Sequence, residues 1–322
     1  MPYAALAGTG SYLPERVMTN QEFEAIVDTS DAWIQERTGI KRRHVAADDE
    51  ATSDLALAAA RNALAAADAN ADEVDLIVLA TTTPDKVFPS TACRVQRQLG
   101  IRNSPAFDVH AACAGFVYAL DVADRFIRTG GARCALVIGA ETYSRIINWK
   151  DRTTCVLFGD GAGAVVLRAS EEPGVICTHC HADGQYEEML HVPCGISTGY
   201  DKIREEAAFI TMKGSEVFRR AVGTLGSMAR ETLSNHGFEK HDVSWLVPHQ
   251  ANMRIIDAAA KKLDLPMDRV VVTVDQHANT SSASIPLALD VAVRDGRIQR
   301  GDLLLFEAFG AGFTWGSALV RY

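Results

Sequence analysis

The sequence predicts a layered α/β protein built from two pseudo-symmetric halves. Three observations lead there. Continuous apolar runs, such as residues 74–80 (VDLIVLA), have the pattern of strands buried on both faces. Ala/Leu-rich segments with helical periodicity alternate with these runs. Segments of the first half also recur in the second at one offset: Ala119-Leu120-Asp121-Val122-Ala123 returns as Ala288-Leu289-Asp290-Val291-Ala292, 169 residues later.

The elements follow in order. Residues 3–10 are a short apolar run stopped by glycines, hence a strand. Gly8-Thr9-Gly10 resembles the opening of a dinucleotide loop, but the third glycine is missing and no helical pattern follows. Residues 53–67 form a helix with Leu55, Ala59 and Leu64 on one stripe. Residues 74–80 and 106–111 are strands, and a helix carrying Phe116, Leu120, Ala123 and Ile127 follows the second. Residues 134–139 and 162–167 are further strands. In the second half, 215–234, 255–263 and 285–293 are helices, and 245–247, 270–274, 303–306 and 317–320 are strands. The offset of 169 also carries 75–78 onto 244–247 and 134–137 onto 303–306. Two stacked strand–helix halves, 1–170 and 171–322, give an α/β/α/β/α body. No long linker separates them, so they are expected to pack rather than swing.

Composition narrows the function. The 322 residues carry 32 basic and 41 acidic side chains, a net charge of −9, with 48% hydrophobic and 23% charged residues. That is globular composition, unlike a disordered tail, a collagen or a mucin. The acidic balance argues against a nucleic-acid binder. No apolar stretch approaches the length of a membrane span, and the N-terminus has no basic region like that of a secretion signal. Seven cysteines, an odd number, suggest reduced thiols and a cytoplasmic setting.

Cys113 stands where a strand ends and a helix begins, in Asp108-Val109-His110-Ala111-Ala112-Cys113-Ala114-Gly115-Phe116. A helix N-terminus favours the thiolate, small neighbours admit a substrate, and local N–H groups suit an oxyanion. His249, in Trp245-Leu246-Val247-Pro248-His249-Gln250-Ala251-Asn252, closes an apolar strand. Asn279, in Asp275-Gln276-His277-Ala278-Asn279-Thr280-Ser281-Ser282, again lies between strand and helix. Sites of α/β sheets gather at such strand ends. The offset pairs Cys113 with Ser282, so the loops of Cys113 and Asn279 are symmetry mates able to face each other. Singly, a core histidine and an Asn turn are ordinary; jointly, the three positions make a site.

These residues carry a resemblance. Thr29-Ser30-Asp31-Ala32-Trp33-Ile34, Arg37-Thr38-Gly39-Ile40, the Cys113 elbow, Phe158-Gly159-Asp160-Gly161-Ala162-Gly163, Pro248-His249-Gln250-Ala251-Asn252 and residues 307–316 (EAFGAGFTWG) together resemble the β-ketoacyl-acyl carrier protein synthase III family, condensing enzymes of the thiolase superfamily. The match spans nearly the whole chain. It implies a thiolase-like fold, a homodimer and a Cys113-His249-Asn279 triad. It implies coenzyme A contacts at Thr29, Trp33, Arg37, Arg152, Gly214, Phe218, Ala251 and Asn252, and acyl-pocket roles for Phe88, which would reach into the partner's pocket, and Phe309. Ala278 and Ala311 depart from the pattern, where glycine is more frequent. His110 is also unusual, and its strand position suggests a packed neutral ring.

The implied chemistry suits the residue types. Cys113 takes an acyl group from acyl-CoA. Malonyl-acyl carrier protein then loses CO₂, and His249 and Asn279 supply N–H donors to the enolate oxygen. Neither a metal nor a redox cofactor is expected. An acidic carrier protein needs a local basic patch, for which Arg219, Arg220, Arg254, Lys261 and Lys262 are candidates; Arg254 and Lys261 share a helical stripe. A Cys-His-Asn hydrolase has the same chain order but lacks its characteristic cysteine surround. A biosynthetic thiolase needs a later cysteine, and none follows Cys194. A condensing enzyme of secondary metabolism, taking longer or aromatic acyl groups, is the nearest alternative. Cys177-Thr178-His179-Cys180-His181 matches a haem-attachment pattern, but it sits in an alternating strand-like stretch, and as a zinc site it lacks a second ligand pair at useful spacing. Residues 159–163 (GDGAG) read as a tight structural turn rather than a phosphate loop.

Overall fold

The computed structural model describes residues 2–205 and 208–322. The chain opens on β1 (Tyr3–Tyr12). A two-stranded ribbon, β2 (Arg16–Thr19) and β3 (Arg42–Val45), brackets α1 (Asn20–Glu24) and α2 (Asp31–Thr38). Then come α3 (Thr52–Ala66), β4 (Leu76–Ala80), α4 (Thr91–Leu99), β5 (Ala106–Val109), α5 (Gly115–Arg128), β6 (Cys134–Glu141) and β7 (Gly161–Ser170). The second series begins with β8 (Val175–Ala182). A short pair, β9 (Leu190–His191) and β10 (Thr211–Met212), flanks α6 (Tyr200–Glu205). It continues through α7 (Gly214–Asn235), β11 (Trp245–Pro248), α8 (Met253–Lys262), α9 (Val274–His277), α10 (Ser284–Arg294), β12 (Leu303–Gly310) and β13 (Thr314–Arg321).

The two large sheets repeat one topology. The first runs β1-β7-β6-β4-β5 and the second β8-β13-β12-β11, with the same sequence of antiparallel and parallel pairings. The starts of α5 and α10, and of β6 and β12, stand 169 residues apart. One expected strand is missing. Residues 270–274 make a single bridge, Leu246 to Val270, before the chain turns into α9. The side chain of Gln250 takes the place of the longer ladder. Its Oε1 accepts from the N–H groups of Thr273 (2.8 Å) and Val274 (3.1 Å), and its Nε2 donates to the carbonyls of Pro248 (2.8 Å) and Val271 (3.0 Å).

Side chains alternate along each strand, so each sheet feeds two cores. On β4, Leu76 and Val78 face the central core, while Ile77 and Leu79 face the outer layer of α3 and α4. The central core holds Phe116 and Leu120 of α5 and Ile285 and Leu289 of α10 between the sheets. The opposite outer layer packs Leu225 of α7 and Ile256 of α8 against Leu246, Leu305 and Leu319. Five layers result, as the repeat implies. Close packing also explains Gly8 and Gly10: a Cβ on Gly10 would lie 2.2 Å from the backbone nitrogen of Ala63 in α3. The glycine pair seats a helix. Among the described residues, no helix is long and apolar enough to cross a membrane.

Glu307 on β12 is fully buried, and neither carboxyl oxygen has a hydrogen-bond partner among the described residues. Burial pushes its carboxyl up to about 8, so it folds protonated. The unfolded chain loses that proton near pH 4.5, so stability falls as pH rises from there to about 8. Glu307→Gln should remove this loss. Thermal midpoints of the variant and wild type should therefore separate in the variant's favour between pH 5 and pH 8.

Candidate functional site

β5 delivers the chain to a tight turn at the N-terminus of α5. Ala112 takes φ +45°, in the left-handed region, and the short 3₁₀ turn Ala112–Ala114 runs directly into the helix. This places Cys113 under the ends of both sheets, 5% exposed. The repeat makes the same turn: Ser281 has φ +50°, and Ser281–Ala283 leads into α10. Gly310, at the end of β12, closes over the cysteine. A Cβ there would stand 2.6 Å from the nitrogen of Cys113 and 3.1 Å from that of Ala114, so only glycine lets the strand approach. Thr314 Oγ1, 2.9 Å from the carbonyl of Ala111, ties the next strand to the same turn.

His249 is held from three sides. Its N–H donates to the carbonyl of Glu307 (2.7 Å), its Nδ1 meets Ser284 Oγ (2.7 Å), and its ring lies edge-on to Phe309 with centroids 5.5 Å apart. The bond at Nδ1 leaves Nε2 as the ring's working nitrogen. Burial lowers the imidazole to about 3, so it is neutral at physiological pH. Asn279 is fixed through its backbone, donating to the carbonyl of Leu157 (2.9 Å) and accepting from Gly159 N–H (3.0 Å). This is the work of the Phe158-Gly159-Asp160 turn. Asn279 Oδ1 accepts from Ser281 N–H (2.8 Å), which makes the side-chain NH₂ the donor end.

Sequence reasoning missed the groups behind the cysteine. Glu141 is fully buried and accepts from the hydroxyls of Thr81, Thr82, Thr83, Ser281 and Ser282 and from the N–H of Thr82. Among the described residues no cation pairs with it. Ser281 Oγ also meets the phenol of Tyr143 at 2.9 Å. Only the residue types were visible in the sequence; their convergence spans 140 positions. Burial pushes the Cys113 thiol up to about 12, and the Glu141 charge adds to this, while hydrogen bonding from Ser281 opposes it. The thiol therefore rests protonated. The expected lowering by the helix terminus is outweighed by desolvation.

A cavity of about 1500 Å³ opens on Cys113. Tyr143, Phe158, Leu190 and Ile210 line it, with Phe88 at its mouth, 81% exposed. His110 also lines it and is exposed, not packed as its position suggested. Phe309 does not line it. Its ring is buried between His249 and Phe313, stacked on the latter at 5.8 Å, so it braces the histidine instead of touching an acyl chain.

Comparison with known proteins agrees. Residues 107–184 match the family model of 3-oxoacyl-[acyl-carrier-protein] synthase III, and residues 233–322 match that of its C-terminal part. The β-ketoacyl-[acyl-carrier-protein] synthase III of Thioalkalivibrio sulfidiphilus is 64% identical over 322 residues, covering 100% of both chains. The chain belongs to the β-ketoacyl-[acyl-carrier-protein] synthase III family. It is thus a condensing acyltransferase of thiolase-like fold. The crystal structure of the Aquifex aeolicus synthase III superposes with a TM-score of 0.94 at 49% identity, covering 99% of this chain and 100% of that one. A priming β-ketosynthase from a polyketide pathway also reaches 0.94, at 37% identity, with 99% and 96% covered.

The remaining residues suggested by this synthase III likeness fall into two linked groups. Trp33 on α2 lies between two guanidinium groups, Arg152 at 5.0 Å and Arg37 at 5.9 Å from its ring centroid. Thr29 is close by in sequence, its buried Oγ1 unpartnered among the described residues. Asn252 caps α8 by accepting from Arg254 N–H (2.8 Å) and donates to the carbonyl of Arg37 (3.1 Å). Arg254 then sits 5.1 Å over Phe218 of α7, the helix that begins at Gly214. Ala251 is buried beside Asn252. Of the basic candidates, Arg219, Arg254 and Lys261 are exposed. Arg220 instead lies 3.9 Å over Tyr186 and pairs with Asp183, and the stem of Lys262 packs over Gly226.

Ala278, where the family pattern has glycine, takes φ +58° and ψ −159°. That region is essentially glycine's, and a side chain there costs about 1–3 kcal/mol. Glycine itself costs about 0.5–1 kcal/mol in chain entropy. Ala278→Gly should therefore stabilise the fold by about 1 kcal/mol in denaturant unfolding. Activity should persist, because the backbone bonds of Asn279 remain.

Proposed function

We propose that this condensing enzyme initiates fatty acid elongation by joining an acyl-CoA to malonyl-acyl carrier protein, with Cys113, His249 and Asn279 as its catalytic residues. What supports the reading is a buried cysteine opening on a cavity of about 1500 Å³, an Asn279 whose Oδ1 is held by Ser281 N–H, and a neutral His249 held by Glu307 of the strand whose Gly310 closes over Cys113. On acylation the thiol gives up its proton to water in the cavity. The sulfur attacks the acyl carbonyl, the carbon–sulfur bond to coenzyme A breaks, and water protonates the leaving thiolate. Malonyl thioester then loses CO₂, and its enolate oxygen receives hydrogen bonds from His249 and Asn279. The enolate carbon attacks the acyl-Cys113 carbonyl, and the β-ketoacyl thioester leaves. A neutral histidine suits this role, because decarboxylation calls for a donor rather than a base. The scheme uses no metal or redox cofactor.

Coenzyme A lies along Thr29, Trp33, Arg37, Arg152, Gly214, Phe218, Ala251 and Asn252. The ring of Trp33 with its two guanidinium groups suits an adenine and its phosphates. Phe88, with Val87 at 55% exposure, is an apolar edge beside the cavity mouth, which supports a homodimer in which a second copy covers it. Seven unpaired cysteines suit the reducing cytoplasm. The higher identity to synthase III relatives favours this reading over a secondary-metabolite enzyme.

Cys113→Ser should abolish the acyl-enzyme seen by mass spectrometry after incubation with acyl-CoA. His249→Ala and Asn279→Ala should still acylate, but should lose malonyl decarboxylation by about 10²–10³-fold. A stable adduct on another cysteine with Cys113 free would overturn the assignment.

Arg254, with Arg219 and Lys261, gives the acidic chain a local basic surface for the carrier protein. Arg254→Glu should raise KM for malonyl-acyl carrier protein more than for malonyl-CoA. The difference should shrink in high salt, because exposed charges are screened beyond about 8 Å at physiological ionic strength.

A further inference from the structure

The ligand-rich stretch 177–181 finds in the fold what its own spacing lacks. Side chains alternate along β8. Cys177 and His179 therefore share the face toward α7, while Cys180 packs into the central core on the other side. That separation rules out haem attachment through both thiols. α7 ends above this strand, and its C-cap residue is His236. The Nε2 atoms of His179 and His236 face each other at 3.2 Å, with the ring centroids 5.4 Å apart. Cys177 Sγ completes three ligand atoms that all lie within 4.8 Å of one another. His181 stays out of the set, stacked on Trp315 at 5.6 Å.

Two imidazole nitrogens at this distance share either a proton or a cation. Two nitrogens bound to one tetrahedral zinc at about 2.0–2.1 Å each stand about 3.3–3.4 Å apart. The histidine pair is thus already at the bite distance of a metal. Two imidazoles and a thiolate suit zinc, and they do not suit magnesium or calcium. His236 is exposed and His179 half-buried, which gives an ion a way in.

We propose that Cys177, His179 and His236 form a zinc site that clamps the C-terminal end of α7 to the edge strand β8, with the fourth position open to water. On binding, the Cys177 S–H proton goes to the buffer, a zinc–sulfur bond forms, and the metal stays divalent. The site stands apart from the Cys113 chemistry. Its effect is on stability, because it fixes the C-terminal end of α7 to β8.

The test is a Co²⁺ titration of chelator-treated, full-length protein, followed by absorption. About one Co²⁺ per chain should bind, with a near-ultraviolet sulfur-to-cobalt charge-transfer band and the intense visible bands of four-coordination, and Zn²⁺ should displace it. Cys177→Ala should lose the charge-transfer band. His236→Ala should weaken binding by at least about tenfold, since losing even an outer partner of a ligand costs about 10–100-fold. His236 is exposed, so its variant serves if Cys177→Ala fails to fold. Its condensing activity should match wild type, and Zn²⁺ should raise the thermal midpoint of wild type but not of the variant. Failure to bind Co²⁺, a band that survives in both variants, or a band lost in Cys113→Ala would each overturn the proposal.

Discussion

Everything at the centre depends on two turns packed against each other at the N-termini of two buried helices. Ala112 and Ser281, 169 residues apart, both adopt left-handed backbone, and each starts the same short turn before α5 or α10. Such backbone persists only where the surroundings over-determine it. Here the surroundings are the fully packed core between the sheets and the close approach of Gly310 to Cys113. One turn presents the thiol, and the other carries Asn279 and the Ser281 hydroxyl to meet it.

The polarity of the site follows from that burial. In a dry interior the histidine stays neutral and the thiol keeps its proton. Burial raises the Glu141 carboxyl as well, and the hydroxyls of Thr82, Thr83 and Ser282 that donate to it work against that rise. His249 and Asn279 are fixed in place by Ser284, Leu157 and Gly159.

Residues far from the sulfur serve the same geometry. Gln250 replaces a strand ladder and thereby holds the segment leading to Asn279. Phe309 braces the His249 ring. α7 carries a cationic and aromatic pair, Arg254 over Phe218, near one end and the His236 cluster at the other.

The sequence by itself determined the layered architecture and the repeat. Those features are written in local periodicity and in motifs a few residues long. The expectation for residues 270–274 went wrong because a side chain, Gln250, claimed the backbone donors of Thr273 and Val274, and no local pattern reports that. Phe309 and His110 were misplaced because one residue of pleat decides which cavity a strand-end side chain meets. Only the tertiary structure decided the charge state of Cys113, since burial, unlike helix position, is a sum over the whole fold. It alone brought Glu141 to Ser281 across 140 residues and His236 to His179 across 57, because such contacts are made by packing two halves and not by spacing along the chain.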